Sequence, residues 1–274
     1  MKKFVLTFTL IMLASYARAY DAKIGGIYYD LIPKAKIAEV VAGDNKYKGQ
    51  VIIPSAVEHE GATYNVTSIA AATFEGCSEL TSVILPKEVR EIRTDTFKDC
   101  YNLESVLLPD ELQRIGDRAF MYCYNLKVCL LPDSVDSVGI YVFQECRSLV
   151  SSNIPRKLSV VPEGMFSNCH SLIYITIPET VVSIGNNSFF ECSSLEYATL
   201  HVPESAIEAY RSASPWKDFG KIVGIEGTDI NAIRCHDSIR EGYYTLDGCR
   251  LTAPQKGINI IRQSDGTTRK AIVK

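Results

Sequence analysis

Apolar residues recur along the middle of this chain with a period of 23. Phe74, Phe97, Phe120, Phe143, Phe166 and Phe189 hold one place in that period. Cys77, Cys100, Cys123, Cys146, Cys169 and Cys192 hold a second, and Leu80, Leu103, Leu126, Leu149, Leu172 and Leu195 a third. Polar residues vary freely between them. In the unit from Ile92 to Arg114 the constant apolar places are Ile92, Phe97, Cys100, Leu103, Val106, Leu108 and Leu112. The other units begin at Ile69, Ile115, Val138, Val161 and Ile184. A fixed period in the range of roughly 20–50 residues marks a solenoid. The end of the run from Leu103 alternates with period two, so it predicts a short strand with Val106 and Leu108 inward and Ser105 and Leu107 outward. Pro109 ends that strand, as Pro86, Pro132, Pro155 and Pro178 end its counterparts. The stretch holding Phe97 and Cys100 returns the chain on the opposite side as a short helical or turn segment.

A single unit cannot bury its own apolar face, so the units must stack, and both ends of the stack need covers. Before the array, Ile24–Leu31, Ile37–Val41 and Gln50–Ile53 have strand-like content, and Val51-Ile52-Ile53-Pro54 already imitates a repeat strand. After it, Leu200-His201-Val202-Pro203 imitates the strand with two extra residues, Glu204–Arg211 reads as a short helix, and Trp216 and Phe219 supply bulky cover. The expected organisation is therefore a signal peptide at 1–19, an N-terminal β cap at 20–65, six repeats at 66–200, a C-terminal cap at 201–224 and a small β-module at 225–274. One unit departs from the pattern, with Ser152 at an inward strand position. A buried hydroxyl needs a partner, so either the array bends there or Ser152 bonds a neighbouring backbone group, and the local adjustment is the favoured reading.

The first segment is read as targeting and not as fold. Lys2 and Lys3 precede an apolar run from Phe4 to Ala14, and Ala17-Arg18-Ala19 is a small-residue cleavage site. The formal net charge of −3 becomes more negative when Lys2, Lys3 and Arg18 are removed, which disfavours nucleic acid as a partner. Six of the nine cysteines are repeat positions and read as a buried ladder of free thiols, as does the inward Cys129. Cys235 and Cys249 lie outside the array, where pairing with each other stays open.

The unit pattern Ile115-Gly116, Ala119-Phe120, Cys123, Leu126 and Leu131-Pro132 resembles the BspA-like leucine-rich repeat family. The lead-in GIYYDL (26–31), the block YNVTSIAAATFEGC (64–77) and the cap VPESAIEAYRSASPWKDF (202–219) are similar to the ends of such arrays. The resemblance implies a leucine-rich-repeat solenoid, a right-handed α/β-type coil with short parallel strands and short helical or turn returns, in a secreted or surface-displayed bacterial protein. Residues 225–274 abandon the period. YYTLDGCRL (243–251), KGINIIR (256–262) and TTRKAIVK (267–274) read as three strands with hairpin turns at Asp247-Gly248 and Asp265-Gly266. With Arg250 and Lys256-Gly257, this segment resembles the C-terminal sorting domain of type IX secretion substrates, which implies outer-membrane export and surface attachment in a Gram-negative bacterium.

No catalytic or metal pattern emerges. His59, His170, His201 and His236 show no chelating spacing, and no nucleophile elbow, phosphate loop or paired acid and base is evident. Gly116, Gly139 and Gly185 share one repeat position and read as a repeated turn. No cofactor or metal is expected, and catalysis is not expected. Candidate binding residues lie on the outward ladder, where Ser82/Ile84, Ser105/Leu107 and Val128/Leu130 lead to Ser151/Asn153, Tyr174/Thr176 and Tyr197/Thr199. Exposed tyrosine gives large contact area at low entropic cost, so stacked Tyr174 and Tyr197 are the leading candidates. Asp133-Ser134-Val135 and Asp237-Ser238-Ile239 resemble an O-glycosylation acceptor. The expectation is a monomeric adhesin-like protein that binds a host or bacterial surface protein or a glycan. The alternatives are a glycan-binding component of nutrient uptake, a structural envelope role, or an enzyme whose pocket the tail would build.

Overall fold

The computed structural model describes residues 20–178, 180–212 and 216–225, with the backbone of short strands at 242–244, 250–251, 257–262 and 268–273. The units coil as a parallel-strand solenoid. Strands Gly49–Ile52, Leu80–Ile84 and Ser105–Leu107 form one run of a first ladder. Val128–Cys129, Ser151–Asn153, Tyr174–Thr176, Thr199–Pro203 and Lys221–Ile225 form the second run. Gln50, Ser82 and Ser105 stand opposite one another, so the strand at Val51 is the first rung.

A second ladder is absent from the sequence reading. Glu91–Ile92, Arg114–Ile115 and Ser137–Val138 pair in parallel, and Val160–Val161 pairs with Ser183–Ile184. Two residues per rung are too few for strand periodicity to register. The side carrying the phenylalanines is built of turns. Its backbone still bonds from coil to coil, Phe97 N–H to Ala119 O at 2.8 Å and Phe120 N–H to Val142 O at 3.0 Å. Left-handed residues flank each phenylalanine at fixed places, for example Asp95 at φ 57° and Asp99 at φ 60°. Asp and Asn tolerate that region better than most side chains, which suits the polar content of these turns.

The repeated residues fill the interior. All six phenylalanines are buried, and each ring stacks on the next at centroid distances from 5.1 to 5.7 Å. The column continues into both caps, through Tyr47 onto Tyr28 at one end and onto Trp216 and Phe219 at the other. Each later cysteine of the ladder donates its thiol to a phenylalanine carbonyl of the coil before, as Cys123 Sγ does to Phe97 O at 3.1 Å. A small apolar residue with a weak donor suits that place, because it fills space and satisfies a carbonyl together. Cys77, Cys100, Cys123, Cys129, Cys146, Cys169 and Cys192 are free and buried. Burial pushes the Cys129 and Cys192 thiols up to about 12.

The recurring glycines serve contact and not turn geometry. A Cβ on Gly116, Gly139 or Gly185 would lie 2.5 Å from the backbone nitrogen of Thr94, Asp117 or Glu163 in the preceding coil. Successive coils approach too closely there for any side chain. Ser152 is buried and donates to Cys129 O at 2.8 Å, the local adjustment expected of it.

In the tail, the 243–251 segment is two strands and not one. Tyr243 pairs with Leu251 and Tyr244 with Arg250, antiparallel, so the chain turns back within it. Gly257–Arg262 pairs with both Gly242–Tyr244 and Thr268–Val273. The expected turns Asp247-Gly248 and Asp265-Gly266, and also Cys235, Cys249 and the expected signal peptide at 1–19, lie outside the described residues.

Candidate functional site

The observed register redraws the predicted binding ladder. Ser151 faces Tyr174, which faces Thr199, which faces Lys221. In the neighbouring row Asn153, Thr176, His201 and Val223 follow one another. Tyr197 does not continue the Tyr174 row. The two extra residues in the last unit are absorbed by a 3-10 turn at Leu195–Tyr197, which shifts Thr199 into the place expected for Tyr197. The stacked pair Tyr174 and Tyr197 is therefore corrected to two separate exposed rings, 48% and 76% accessible. Thr199 moves one row over and remains on the outward face.

Asn153 is on the outward face but its side chain is committed. Its Oδ1 accepts Leu131 N–H at 2.7 Å and its Nδ2 donates to Leu131 O at 2.9 Å. Elsewhere the residue before the strand-ending proline bonds a backbone carbonyl one coil on, as Leu85 N–H does to Leu107 O at 3.3 Å. Asn153 thus replaces a backbone rung beside the place where the first ladder is interrupted. Ser134 is likewise occupied. Its hydroxyl donates to Asp110 O and Leu112 O, both at 2.6 Å, and a sugar on that oxygen would break these bonds. Asp237-Ser238-Ile239 lies outside the described residues.

A second surface was missed in the sequence. Tyr101 and Tyr124 stack at 5.1 Å and 11°, and the Arg147 guanidinium covers the far face of Tyr124 at 4.8 Å. Glu145 holds that guanidinium at 2.8 Å, which is why its charge is strongly retained. Tyr122 meets Tyr124 edge-on at 6.1 Å, and Asn125 donates to Asn102 at 3.1 Å. Tyr101 is 41% accessible. The signal was present as Cys100-Tyr101-Asn102-Leu103 and Cys123-Tyr124-Asn125-Leu126, one period apart, in a segment read only as a return. This column lies in the segments just before Ser105–Leu107 and Val128–Cys129 and not in the rows that hold Tyr174.

A cleft of about 330 Å³ opens in the N-terminal cap, lined by Lys23, Tyr28, Asn45, Lys46, Lys48 and Ile52 among others. Lys46 donates to Glu75 O and Lys48 pairs with Glu79, so these cations are engaged. Its lining has no histidine, cysteine or carboxylate. Among the described residues no group of three or more potential ligands is placed to hold a metal ion. His201 is half-buried, and burial together with the nearby Lys221 lowers its pKa.

The sequence profile described as "BspA type Leucine rich repeat region" matches in six copies over residues 61–159 and 113–212. No curated protein matches the chain. Among solved structures, a leucine rich cell surface protein from Faecalibacterium prausnitzii superposes with a TM-score of 0.56 at 23% identity, over 90% of this chain and 59% of its own. A leucine-rich repeat protein from Bacteroides ovatus gives 0.52 at 27% identity, over 69% of this chain and 56% of its own. The T. pallidum leucine rich repeat protein gives 0.53 at 24% identity, over 69% of this chain and 93% of its own. The chain thus spans less than two thirds of the first two. With six in-register coils and a profile match over more than half its length, the chain belongs to the BspA-type leucine-rich repeat family.

Proposed function

We propose that this chain is a secreted or cell-surface bacterial interaction protein that binds a protein or glycan partner through its repeat surface and performs no covalent chemistry on it. The observation that carries this reading is the column of Tyr101, Tyr124 and Arg147. The six coils spend the residues repeated in every unit on the core, whereas Tyr101 and Arg147 are exposed and Tyr124 is half-buried beside them. Tyrosine and arginine dominate binding hot spots, and rings already fixed by stacking lose little entropy on contact. The relative from Faecalibacterium prausnitzii is described as a cell surface protein, which supports the placement. The signal-like segment at 1–19 and the resemblance of 225–274 to a sorting domain support export and outer-membrane attachment in a Gram-negative bacterium.

The test is a plate assay of the purified chain against matrix proteins, bacterial cells and polysaccharides, with Arg147→Ala and Tyr124→Ala beside the wild type. Saturable binding weakened by either variant supports the proposal. Absence of binding to every surface at micromolar concentration overturns it. The rival reading, a glycan-binding component of nutrient uptake, is favoured by one observation, the open ring of Tyr174.

A further inference from the structure

The outward face of the first ladder is unusual in its charge. Its two rows run Gln50, Ser82, Ser105, Val128, Ser151, Tyr174, Thr199, Lys221 and Ile52, Ile84, Leu107, Leu130, Asn153, Thr176, His201, Val223. Neither row contains a carboxylate, in a chain whose net charge is −3. The corner residues beside Tyr174 are Val150 and Ile173, also uncharged. Lys221 is exposed and forms no ion pair among the described residues. His201 next to it is held towards its neutral form, so Lys221 is the cation of this patch. Of the acidic side chains close to the patch in sequence, Glu196, three residues before Thr199, bonds the Tyr197 phenol, and Asp218, three residues before Lys221, forms no ion pair with Lys221 among the described residues.

Tyr174 lies in the outward row, whereas Tyr197, also uncovered, lies outside it with its phenol bonded by Glu196. Tyr174 makes no ring contact among the described residues, and its row neighbours Ser151 and Thr199 are too small to cover it. At about 4.7–4.9 Å per rung, Thr199 lies one rung and Lys221 two rungs from Tyr174, a span of roughly 10 Å. An uncovered aromatic face, hydroxyls on Thr176 and Thr199 beside it, and one cation at that distance match a sugar ring that carries a carboxylate. The ring's C–H face lies on Tyr174, its hydroxyls meet the threonines, and its carboxylate reaches Lys221. The Tyr101–Tyr124 column fits this role less well, because Tyr124 is stacked on Tyr101 and covered by Arg147, and no hydroxyl row with an unpaired cation accompanies it among the described residues.

We propose that Tyr174, Thr176, Thr199 and Lys221 form a subsite for an acidic sugar, either a free carboxylated saccharide or the acidic residue of a longer glycan. This rests on reading the repeat surface as the binding surface, and it names the ligand class for one part of it. The experiment is ligand-observed NMR and calorimetry of the full chain with glucuronate, N-acetylneuraminate, glucose and N-acetylglucosamine, followed by acidic and neutral polysaccharides. The expected result is saturable binding of an acidic sugar at least about 10-fold tighter than that of its neutral counterpart. Tyr174→Ala weakens both, by about 10-fold or more, whereas Lys221→Gln removes only the preference for acid. Binding of the acidic polysaccharide but of no monosaccharide places the acid within a longer glycan and supports the subsite. Tyr101→Ala leaves all of this unchanged. Equal binding of acidic and neutral sugars, insensitivity to Tyr174→Ala, or no sugar binding overturns the subsite. A chain that binds no sugar yet captures a protein through Tyr124 and Arg147 overturns the subsite and leaves the broader function standing.

Discussion

Phe120→Ala tests the core of the coil most severely. Phe120 has no accessible surface and lies between Phe97 at 5.2 Å and Phe143 at 5.4 Å, nearly parallel to both. Truncating a buried phenylalanine costs about 3–5 kcal/mol. Stacking on two neighbours adds about 0.5–1.5 kcal/mol per pair beyond simple burial, which places this site at the upper end of that range. Its backbone remains bonded to Val142 O, so the loss falls on packing. For a folded unit of this size, 1 kcal/mol moves the midpoint by about 2–4 °C, so a fall of roughly 8–20 °C is expected. Thermal melts followed by circular dichroism measure it. The internal control is Phe190→Ala, one residue along from the buried Phe189. Phe190 is 53% accessible and its truncation costs under about 1 kcal/mol. A Phe120→Ala midpoint within about 3 °C of wild type, or equal effects at Phe120 and Phe190, would refute the stacked-column account.

Three further outcomes follow from particular contacts. In native protein a thiol reagent modifies at most Cys235 and Cys249 of the nine cysteines, because burial holds the other seven in unreactive thiol form; modification of three or more without unfolding contradicts this. Asn153→Ala leaves the Leu131 N–H and carbonyl without their partners and costs about 1–3 kcal/mol by denaturant melt, and an unchanged midpoint would show that water replaces the side chain. Gly139→Ala forces the fourth coil away from Asp117 of the third and costs about 1–3 kcal/mol, whereas Gly25→Ala, at a left-handed turn with open space for Cβ, costs about 1–2 kcal/mol from backbone strain alone.

The sequence conveyed what the repeat enforces and concealed what it does not. Burial at Phe74, Cys100 or Leu126 is legible because each residue type is chosen six times by the same environment. The partner of Ser152 was foreseeable for a similar reason, since a hydroxyl at an apolar place must bond something. The second ladder was not legible, because rungs such as Arg114–Ile115 are set by the neighbouring coil and not by local alternation. The register at Tyr174 was misjudged by counting a strict period through an insertion that the 3-10 turn at Leu195–Tyr197 takes up. Asn153 looked available because an outward strand position is normally solvated, yet an interrupted ladder claimed its amide. Tyr101 and Tyr124 share the period of the cysteines beside them but in two units only, so the pattern does not mark them as a surface column.

The central claim is that the residues repeated in all six units build the coil and that surface residues outside that set do the binding. Its most direct test is one variant, Tyr124→Ala with Tyr174→Ala, assayed for capture of matrix proteins, bacterial cells and acidic glycans and for thermal midpoint in the same preparation. Both rings are off the core, so the midpoint should stay within about 3 °C while capture falls by about 30-fold, the equivalent of 2 kcal/mol. Undiminished capture by the stable double variant would contradict the account.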